Sequence, residues 1–342
     1  MVQSEATSIE TQETLDITVV IPTHNRSDAL DLTIEHLSNQ DFEGAWEAIV
    51  VNNNSTDDTD QVVKSWQEKF PVKLKLVHES KPGPAAARNV GAGAAKGRYL
   101  VFIDNDILTG PDFLRNHMQF LDSEREGWFI GRVVNPPELR RTPFGRYRDD
   151  IHEAYFLGLP QTGTVPYDGA IGANWAMRRD QCFIAGGFDE SYSIASCEDA
   201  ELALRARKSG FKTMFNADSR VVHNDWAIDL KTFLRRQETY SISTVLLWTK
   251  YGEESFQLDV VTQNGPINIE KDGFGLALKK SVKGVFAARS FYPVVIRLTE
   301  AIESMAPDTK LSRRSYEIAT SLAIFRGVRE GFLRYTNGTG KS

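Results

Sequence analysis
Apolar and polar positions over the first hundred residues alternate between two periods. Residues 16–25, DITVVIPTHN, are a β-branched run meeting Pro22 and read as a strand buried on both faces. SDALDLTIEHLSNQ (27–40) sets Leu30, Ile34 and Leu37 at helical spacing, with Ser27 or Asp28 as the expected N-cap. WEAIVVNNNSTDDT (46–59) is again a strand running into a polar turn, and a helix restarts over 55–70 with Ser55 and Thr56 near its cap. VKLKLVHES (72–80) is a third strand, the Ala-rich GPAAARNVGAGAAKG (83–97) a third helix ending in Gly97, and RYLVFIDND (98–106) a fourth strand. This order predicts an α/β fold, a mostly parallel but mixed sheet flanked by helices on both faces. Ligands of such sheets sit beyond the carboxyl ends of the strands. There the polar clusters fall: Thr23-His24-Asn25-Arg26, Asn52-Asn53-Asn54 and Asp104-Asn105-Asp106.

Two aspartates directly behind the apolar run LVFI need a reason, because a buried carboxylate without a partner is costly. If the strand continues through them, Asp104 and Asp106 stand at i and i+2 and point into one crevice. A turn there would split them between two tasks. Together they repel, and one is forced to protonate unless a cation stands near. Mg2+ or Mn2+ meets that need, since both take oxygen ligands and combine few carboxylates with substrate phosphates. The plain alternative is an aspartate pair in a turn or helix cap. Placement after the fourth strand of a parallel series favours the metal.

Composition narrows the picture. The 342 residues suffice for one large or two modest domains. A net charge of −6 argues against nucleic acid as a partner. Two cysteines, Cys182 and Cys197, argue against a disulfide framework and a cysteine-built zinc site. Residues 1–15 are polar and acidic, without the basic and apolar parts of a secretory signal, and are expected to be a disordered leader. No uncharged apolar run approaches the ~18 residues that span a bilayer, so the cytoplasm is the expected location. Residues 1–227 hold 23 Lys+Arg against 34 Asp+Glu, whereas residues 228–342 hold 17 against 12. Such a split suits a catalytic body followed by a docking segment, or equally a helical region with a solvated basic face.

Five stretches carry a resemblance: VVIPTHNR (19–26), IVVNNNSTDDT (49–59), KPGPAAARNVGAGAAKGRYLVFIDND (81–106), GANWAMRRDQCFIAGGFDES (172–191) and EDAELALRARKSGF (198–211). In this order and at these separations, over roughly residues 16–226, the chain resembles a family-2 glycosyltransferase with the nucleotide-diphospho-sugar transferase fold, called GT-A. The resemblance implies a catalytic domain over 16–227, with a nucleotide-sugar half (16–110) and an acceptor half (111–227), and a helical C-terminal region (228–342). It implies that Pro22, Thr23 and Arg26 form the first nucleotide loop, with Asn54 and Asn105 beside it. Asn52 matches a position where the family often has a base-binding Asp. An Asp only accepts hydrogen bonds, whereas this Asn also donates. Asp104 matches the residue near the ribose, Asp106 the metal ligand, and Arg88 a donor-side residue that also reads as a helix-surface ion pair. Asp199 matches the catalytic base, and Glu198 its support or an acceptor contact. A helix N-terminus that favours acids is the plain alternative for both.

His223, behind the short run RVV, reads by itself as a structural hydrogen-bonder; the resemblance makes it a completing metal ligand. Trp175 and Trp226 can stack on a sugar, with Trp175 expected on the acceptor side, or pack in the core. TGTVPYDGAIGANWAMRRD (162–180) reads as a strand pair closing over the cleft, with Gly169 and Gly172 allowing close approach. The implied activity is inverting transfer from a nucleoside diphosphate sugar, UDP-linked before GDP- or dTDP-linked, to a hydroxyl of a glycan or lipid-linked acceptor in cell-envelope polysaccharide synthesis, with Mn2+ or Mg2+. The rivals are a non-catalytic scaffold of the same fold, and a nucleotidyltransferase, whose Gly-rich first loop PTHNRSD does not provide. In the last third, 230–252, 274–305 and 313–338 read as helices mixing aromatic and basic residues, and 253–273 as a connecting loop. These helices suit peripheral contact with the inner face of the plasma membrane, packing on the core, or a homodimer interface.

Overall fold
The computed structural model describes residues 15–123, 127–160, 162–165, 173–255 and 258–336. Strands β1 (Ile17–Thr23), β2 (Trp46–Asn52), β3 (Lys73–His78) and β4 (Tyr99–Ile103) alternate with helices α1 (Ser27–Ser38), α2 (Thr59–Gln67) and α3 (Pro84–Ala94). The four strands lie parallel in the order β3-β2-β1-β4. Val19 and Ile21 pack into one face of the sheet with Ala48 and Val50; Val20, Ile49, Val51 and Phe102 pack into the other. α3 lies flush on that second face: a Cβ added at Gly91 would meet Val20 Cγ1 at 2.3 Å.

The helix starts differ from the expected caps. α1 begins after Arg26, which is held left-handed at φ 63° and gives no side-chain cap. Asp57 instead accepts from the Ser27 amide at 2.8 Å through Oδ2 and from the Thr59 amide at 3.2 Å through Oδ1. One carboxylate thus serves the orphan donors of α1 and α2 together, and α2 starts later than Ser55 or Thr56 would set it.

The second half comprises β5 (Ile107–Thr109), α4 (Phe113–Ser123), β6 (Gly127–Val134), α5 (Pro143–Leu157), β7 (Thr162–Thr164), β8 (Asn174–Arg178), α6 (Arg179–Ile184), α7 (Glu198–Lys208) and β9 (Lys212–His223). The sheet continues from β4 through β8, β6, β9 and β5, with β7 on β9. β8 runs antiparallel to both neighbours, while β6 and β9 are parallel, so the sheet is mixed as expected. The strand pair expected over 162–180 is not formed. β7 pairs with β9, and β8 is inserted between β4 and β6. Burial accompanies this placement: Trp175 in β8 is 2% exposed and stacks on Phe102, its partner across the β4–β8 pair, with ring centroids 4.2 Å apart. Gly169 and Gly172 lie outside the described residues.

His117 of α4 sits in this core with Nε2 2.9 Å from Asn174 Oδ1. The Asn174 amide donates to the Ser219 carbonyl at 2.7 Å, so Oδ1 faces the imidazole and Nε2 carries the hydrogen. Burial holds the His117 pKa down to about 4, with the Asn174 hydrogen bond opposing it. In the unfolded chain the ring titrates near its ordinary ~6.5. Between those values the unfolded chain binds the extra proton, so stability is full above the unfolded pKa. It falls as pH drops from ~6.5 toward 4, by up to about 3 kcal/mol. Urea midpoints measured across that window show the slope, and His117→Gln flattens it.

Beyond β9 the chain is helical: α8 (Leu230–Tyr251), α9 (Leu258–Asn264), α10 (Phe274–Phe286), α11 (Tyr292–Met305) and α12 (Lys310–Tyr335). The segment 253–273, expected as a loop, contains α9, whose Val261 and Asn264 are buried. α8 and α12 approach closely because α12 offers glycines there. A Cβ on Gly327 would meet the Glu238 carbonyl at 2.1 Å, and one on Gly331 the Ile242 carbonyl at 2.8 Å. Phe144 and Tyr147 of α5 join Leu234, Tyr316 and Leu322 in an apolar cluster that seats these helices on the sheet domain.

Candidate active site
The chain leaves β1 toward β2 on one side and returns to β4 on the other, so the order reverses between β1 and β4. That reversal opens a crevice at the strand ends. Thr23 ends β1, His24–Arg26 follow it, and Asp104–Asp106 follow β4 into it. The strand stops at Ile103 and a turn follows, so the two aspartates part.

Asp106, 4% exposed, faces inward. Arg26 Nη1 donates to its Oδ2 at 2.7 Å, and His223 Nε2 stands 3.2 Å from Oδ1. That second contact is an ion-pair distance without hydrogen-bond geometry, and Oδ1 is left buried with no hydrogen-bond donor. Burial alone would raise the Asp106 pKa; His223 and Arg26 outweigh it and hold the carboxyl down to about 2. Burial lowers and Asp106 raises the His223 pKa, with a net upward shift. The Asn224 amide donates to the Asp106 carbonyl at 2.8 Å and fastens the end of β9 to the turn.

Asp104 turns the other way. Arg88 Nη2 donates to it at 2.8 Å, and Arg88 Nη1 donates to Glu198 Oε1 at 2.8 Å. Arg88 is 3% exposed, and burial opposes its charge; Asp104, Glu198 and Asp199 reverse that and raise its pKa. Glu198 Oε2 also accepts the Ser196 amide at 2.7 Å. Glu198 is therefore committed to Arg88 and to the start of α7, and the expected acceptor contact is not what its side chain makes. Asp199, next in the first turn of α7, is half-buried, and its Oδ1 accepts the Ala200 amide at 2.7 Å. Its charge reaches Arg88 and Tyr240.

A cavity of about 1140 Å3 is lined by Pro22, Thr23, Arg26, Asn54, Arg88 and Asp104–Asp106, with His223 and Asp225 and with Arg235, Arg236 and Tyr240 of α8; Glu198 and Asp199 stand behind Arg88 and Tyr240 and do not themselves line it. Asn105 Nδ2 donates to Thr23 Oγ1 at 2.9 Å, tying the two strand-end loops together. A neighbouring cavity of about 320 Å3 shares Asn54 and Ser80 with it and holds Asn52, Asp60 and His78. Asn52 Nδ2 donates to Asp60 Oδ1 at 2.6 Å and its Oδ1 accepts the Ser55 amide at 2.8 Å, so both ends of the amide are used internally. Asp60 lines that cavity together with Asp57 and Glu79; Asn52 and then His78 hold the Asp60 pKa low. Asn54, left-handed at φ 61°, donates to the Ser80 carbonyl at 2.9 Å.

Of the residues expected here, Asn52 lies in the smaller cavity, Glu198 and Asp199 line neither cavity, and Trp175 is carried furthest away. It is a core residue under the sheet, and the acceptor side does not include its ring. Three residues escaped the sequence reading. Asp60 was hidden in the polar run STDDTD. Asp225 is buried, pairs with Arg236, and lies 3.6 Å from Arg148 and 4.0 Å from Arg26. The spacing from His223, i and i+2, was the available signal for Asp225. Arg236 had none, because its helix meets the cleft only through tertiary packing.

Among the described residues no three His, Cys, Asp or Glu side chains gather as a metal cluster. The residues present still fit a divalent ion. An orphaned carboxylate oxygen beside an imidazole nitrogen supplies one hard and one borderline donor, and such ions complete their shell from phosphate oxygens and water.

Residues 18–182 match the family model described as glycosyl transferase family 2. A validoxylamine A glucosyltransferase of Streptomyces hygroscopicus subsp. jinggangensis (strain 5008) is 35% identical over 235 residues, covering 59% of this chain and 54% of that protein. An uncharacterized glycosyltransferase of Rickettsia bellii (strain RML369-C) is 30% identical over 142 residues, covering 42% of this chain and 19% of that one. The chain thus spans about a fifth to about half of these relatives' lengths. In fold it is similar to a mannosyltransferase of Pyrobaculum calidifontis solved with GDP-Man and Mn2+, with a TM-score of 0.60, 18% identity, and coverage of 91% of this chain and 86% of that one. The matched segment, the relatives and the mixed sheet agree: residues 18–182 form a glycosyl transferase family 2 segment, and the chain has the GT-A fold.

Proposed function
We propose that the protein is an inverting, metal-dependent glycosyltransferase that moves a sugar from a nucleoside diphosphate sugar to a hydroxyl of a glycan or lipid-linked acceptor of the cell envelope. The observation that carries this reading is Asp106: buried, ionised, and keeping one oxygen undonated beside His223 at the mouth of a cavity large enough for such a donor. Asp106 and His223 would hold Mn2+ or Mg2+, which when bound neutralises the charge that grows on the leaving diphosphate.

The chain's own groups account for the rest. The base sits in the smaller cavity, where Asp60 accepts a hydrogen bond from a base N–H. Thr23, Asn54 and Asp104 border the path of the ribose. Arg26, 44% exposed and reaching from the β1 loop, meets the diphosphate oxygens. Asp199 takes the proton from the acceptor hydroxyl, which attacks the anomeric carbon opposite the leaving group and inverts it. A UDP-sugar is favoured over GDP- or dTDP-sugars. The fold neighbour's Mn2+ and GDP-Man support the metal and the donor class without choosing the base.

The test is thermal unfolding with UDP-, GDP- and dTDP-sugars, each with and without Mn2+ or Mg2+. One donor at 100 times its Kd stabilises the fold by about 2.7 kcal/mol, only with metal present. No stabilisation by any donor with metal present sinks the reading. Asp106→Asn lowers Mn2+ affinity by at least about 10–100-fold, the range seen when groups that merely support a ligand are lost. Isothermal titration with Mn2+ measures it.

A further inference from the structure
The donor chemistry makes no use of α10 and α11, which leave apolar side chains facing outward. In α10, Phe274 is 86% exposed, and Leu278, Val282, Val285 and Phe286 are exposed with it. Their spacing of four, four, three and one places them along one stripe of the helix. Phe291, Val294, Leu298 and Met305 repeat the arrangement along α11 and are exposed as well. Single exposed apolar residues need no explanation, but two successive helices with outward stripes do.

Along α10 and the first half of α11 the charges around the stripes are of one sign. From Phe274 to Thr299 the chain has no Asp or Glu, in a protein whose net charge is −6. Lys279, Arg289 and Arg297 are exposed, and among the described residues no carboxylate pairs with them. Lys280, on the inner side of α10, differs: it is buried, donating to Asp272 Oδ2 at 2.7 Å and to the Pro266 carbonyl at 3.2 Å. The inward cation is neutralised within the fold, and the outward three are left for something else.

Aromatic and aliphatic stripes bordered by unpaired cations match the headgroup region of an anionic bilayer, the two acids of these helices being engaged elsewhere, Glu300 by Lys231 at 2.8 Å and Glu303 by the Phe144 amide at 3.3 Å. A second copy of the chain fits poorly, because a two-fold contact sets the same three cations against one another. Among the described residues no helix is long and apolar enough to cross a membrane, so the contact lies on the surface. We propose that α10 and α11 dock this protein on anionic lipid bilayers, with Phe274, Leu278 and Val282 entering the interface and Lys279, Arg289 and Arg297 meeting lipid phosphates. The proposal stands apart from the donor reading, and either can fail alone.

Flotation of the full chain with phosphatidylcholine vesicles, with and without phosphatidylglycerol, tests it. The protein floats with the anionic vesicles and not with phosphatidylcholine alone, and raised salt releases it. The triple variant Lys279→Glu, Arg289→Glu and Arg297→Glu lowers partitioning on the order of 100-fold, at about 1 kcal/mol for each cation. A second variant, Phe274→Ser with Leu278→Ser and Val282→Ser, also lowers it. All six side chains are exposed, so both variants keep the parent's thermal unfolding. Failure of the parent to float with anionic vesicles, or variants that float like the parent, overturns the proposal. So does light scattering that finds a dimer which the serine variant turns into a monomer, because a second copy then covers the stripes.

Discussion
Asp199→Asn lowers turnover by about 10²–10⁴-fold, the contribution of a positioned base, and leaves donor binding unchanged. Two acids stand side by side at the start of α7, and their side chains have different partners. Glu198 is locked by Arg88 and the Ser196 amide and cannot take over proton removal. Asp199 uses Oδ1 on the Ala200 amide and lies half-buried, its charge reaching Tyr240, which lines the cleft. The isosteric amide keeps the hydrogen bond that orients the side chain and removes the basicity. Steady-state kinetics read a fall in kcat, and titration with the donor and Mn2+ reads an unchanged Kd. Loss of donor affinity by the same factor would place Asp199 in donor binding and remove it as the base.

Arg88→Met destabilises the protein by about 3–5 kcal/mol, the usual consequence of stripping one partner from a buried ion pair. Arg88 is 3% exposed and bridges Asp104 and Glu198 at 2.8 Å each. The Asp104 contact contributes the smaller part, since that carboxylate is a third exposed and water screens it. Glu198 has no such relief, and without Arg88 its charge is buried with the Ser196 amide alone. Adding Glu198→Leu to Arg88→Met recovers part of the loss, because the stranded carboxylate is then gone. Urea midpoints of the parent, both single variants and the double variant close the cycle. A loss below about 1 kcal/mol in Arg88→Met would show that water already reaches this pair.

Much of the donor half was legible because its signals are local. β-branched runs, amphipathic stretches and the polar residues that stop them are properties of a few neighbouring residues, and strands β1 to β4 fall where the runs fall. The place of Asp104–Asp106 at the strand end was legible for the same reason, since the polar stop behind LVFI is a local signal. The reading weakened where a residue's surroundings come from distant segments. Trp175 shows how: by itself its ring can stack on a sugar or pack in the core, and β8, drawn between β4 and β6, spends it on Phe102. Asp57 shows the same for capping, since it serves two helices from a loop between them.

The amino-acid sequence alone determined the order of strands and helices, the α/β class, and the polar inventory at the strand ends, because periodicity and turn chemistry act over short stretches of chain. Tertiary structure decided the partners. It split Asp104 from Asp106, gave the first to Arg88 and the second to Arg26 and His223, and closed the cleft with α8. It also brought Gly327 against α8 and left the stripes of α10 and α11 uncovered. These outcomes depend on which apolar faces meet, and that choice belongs to the packing of the whole chain rather than to any segment of it.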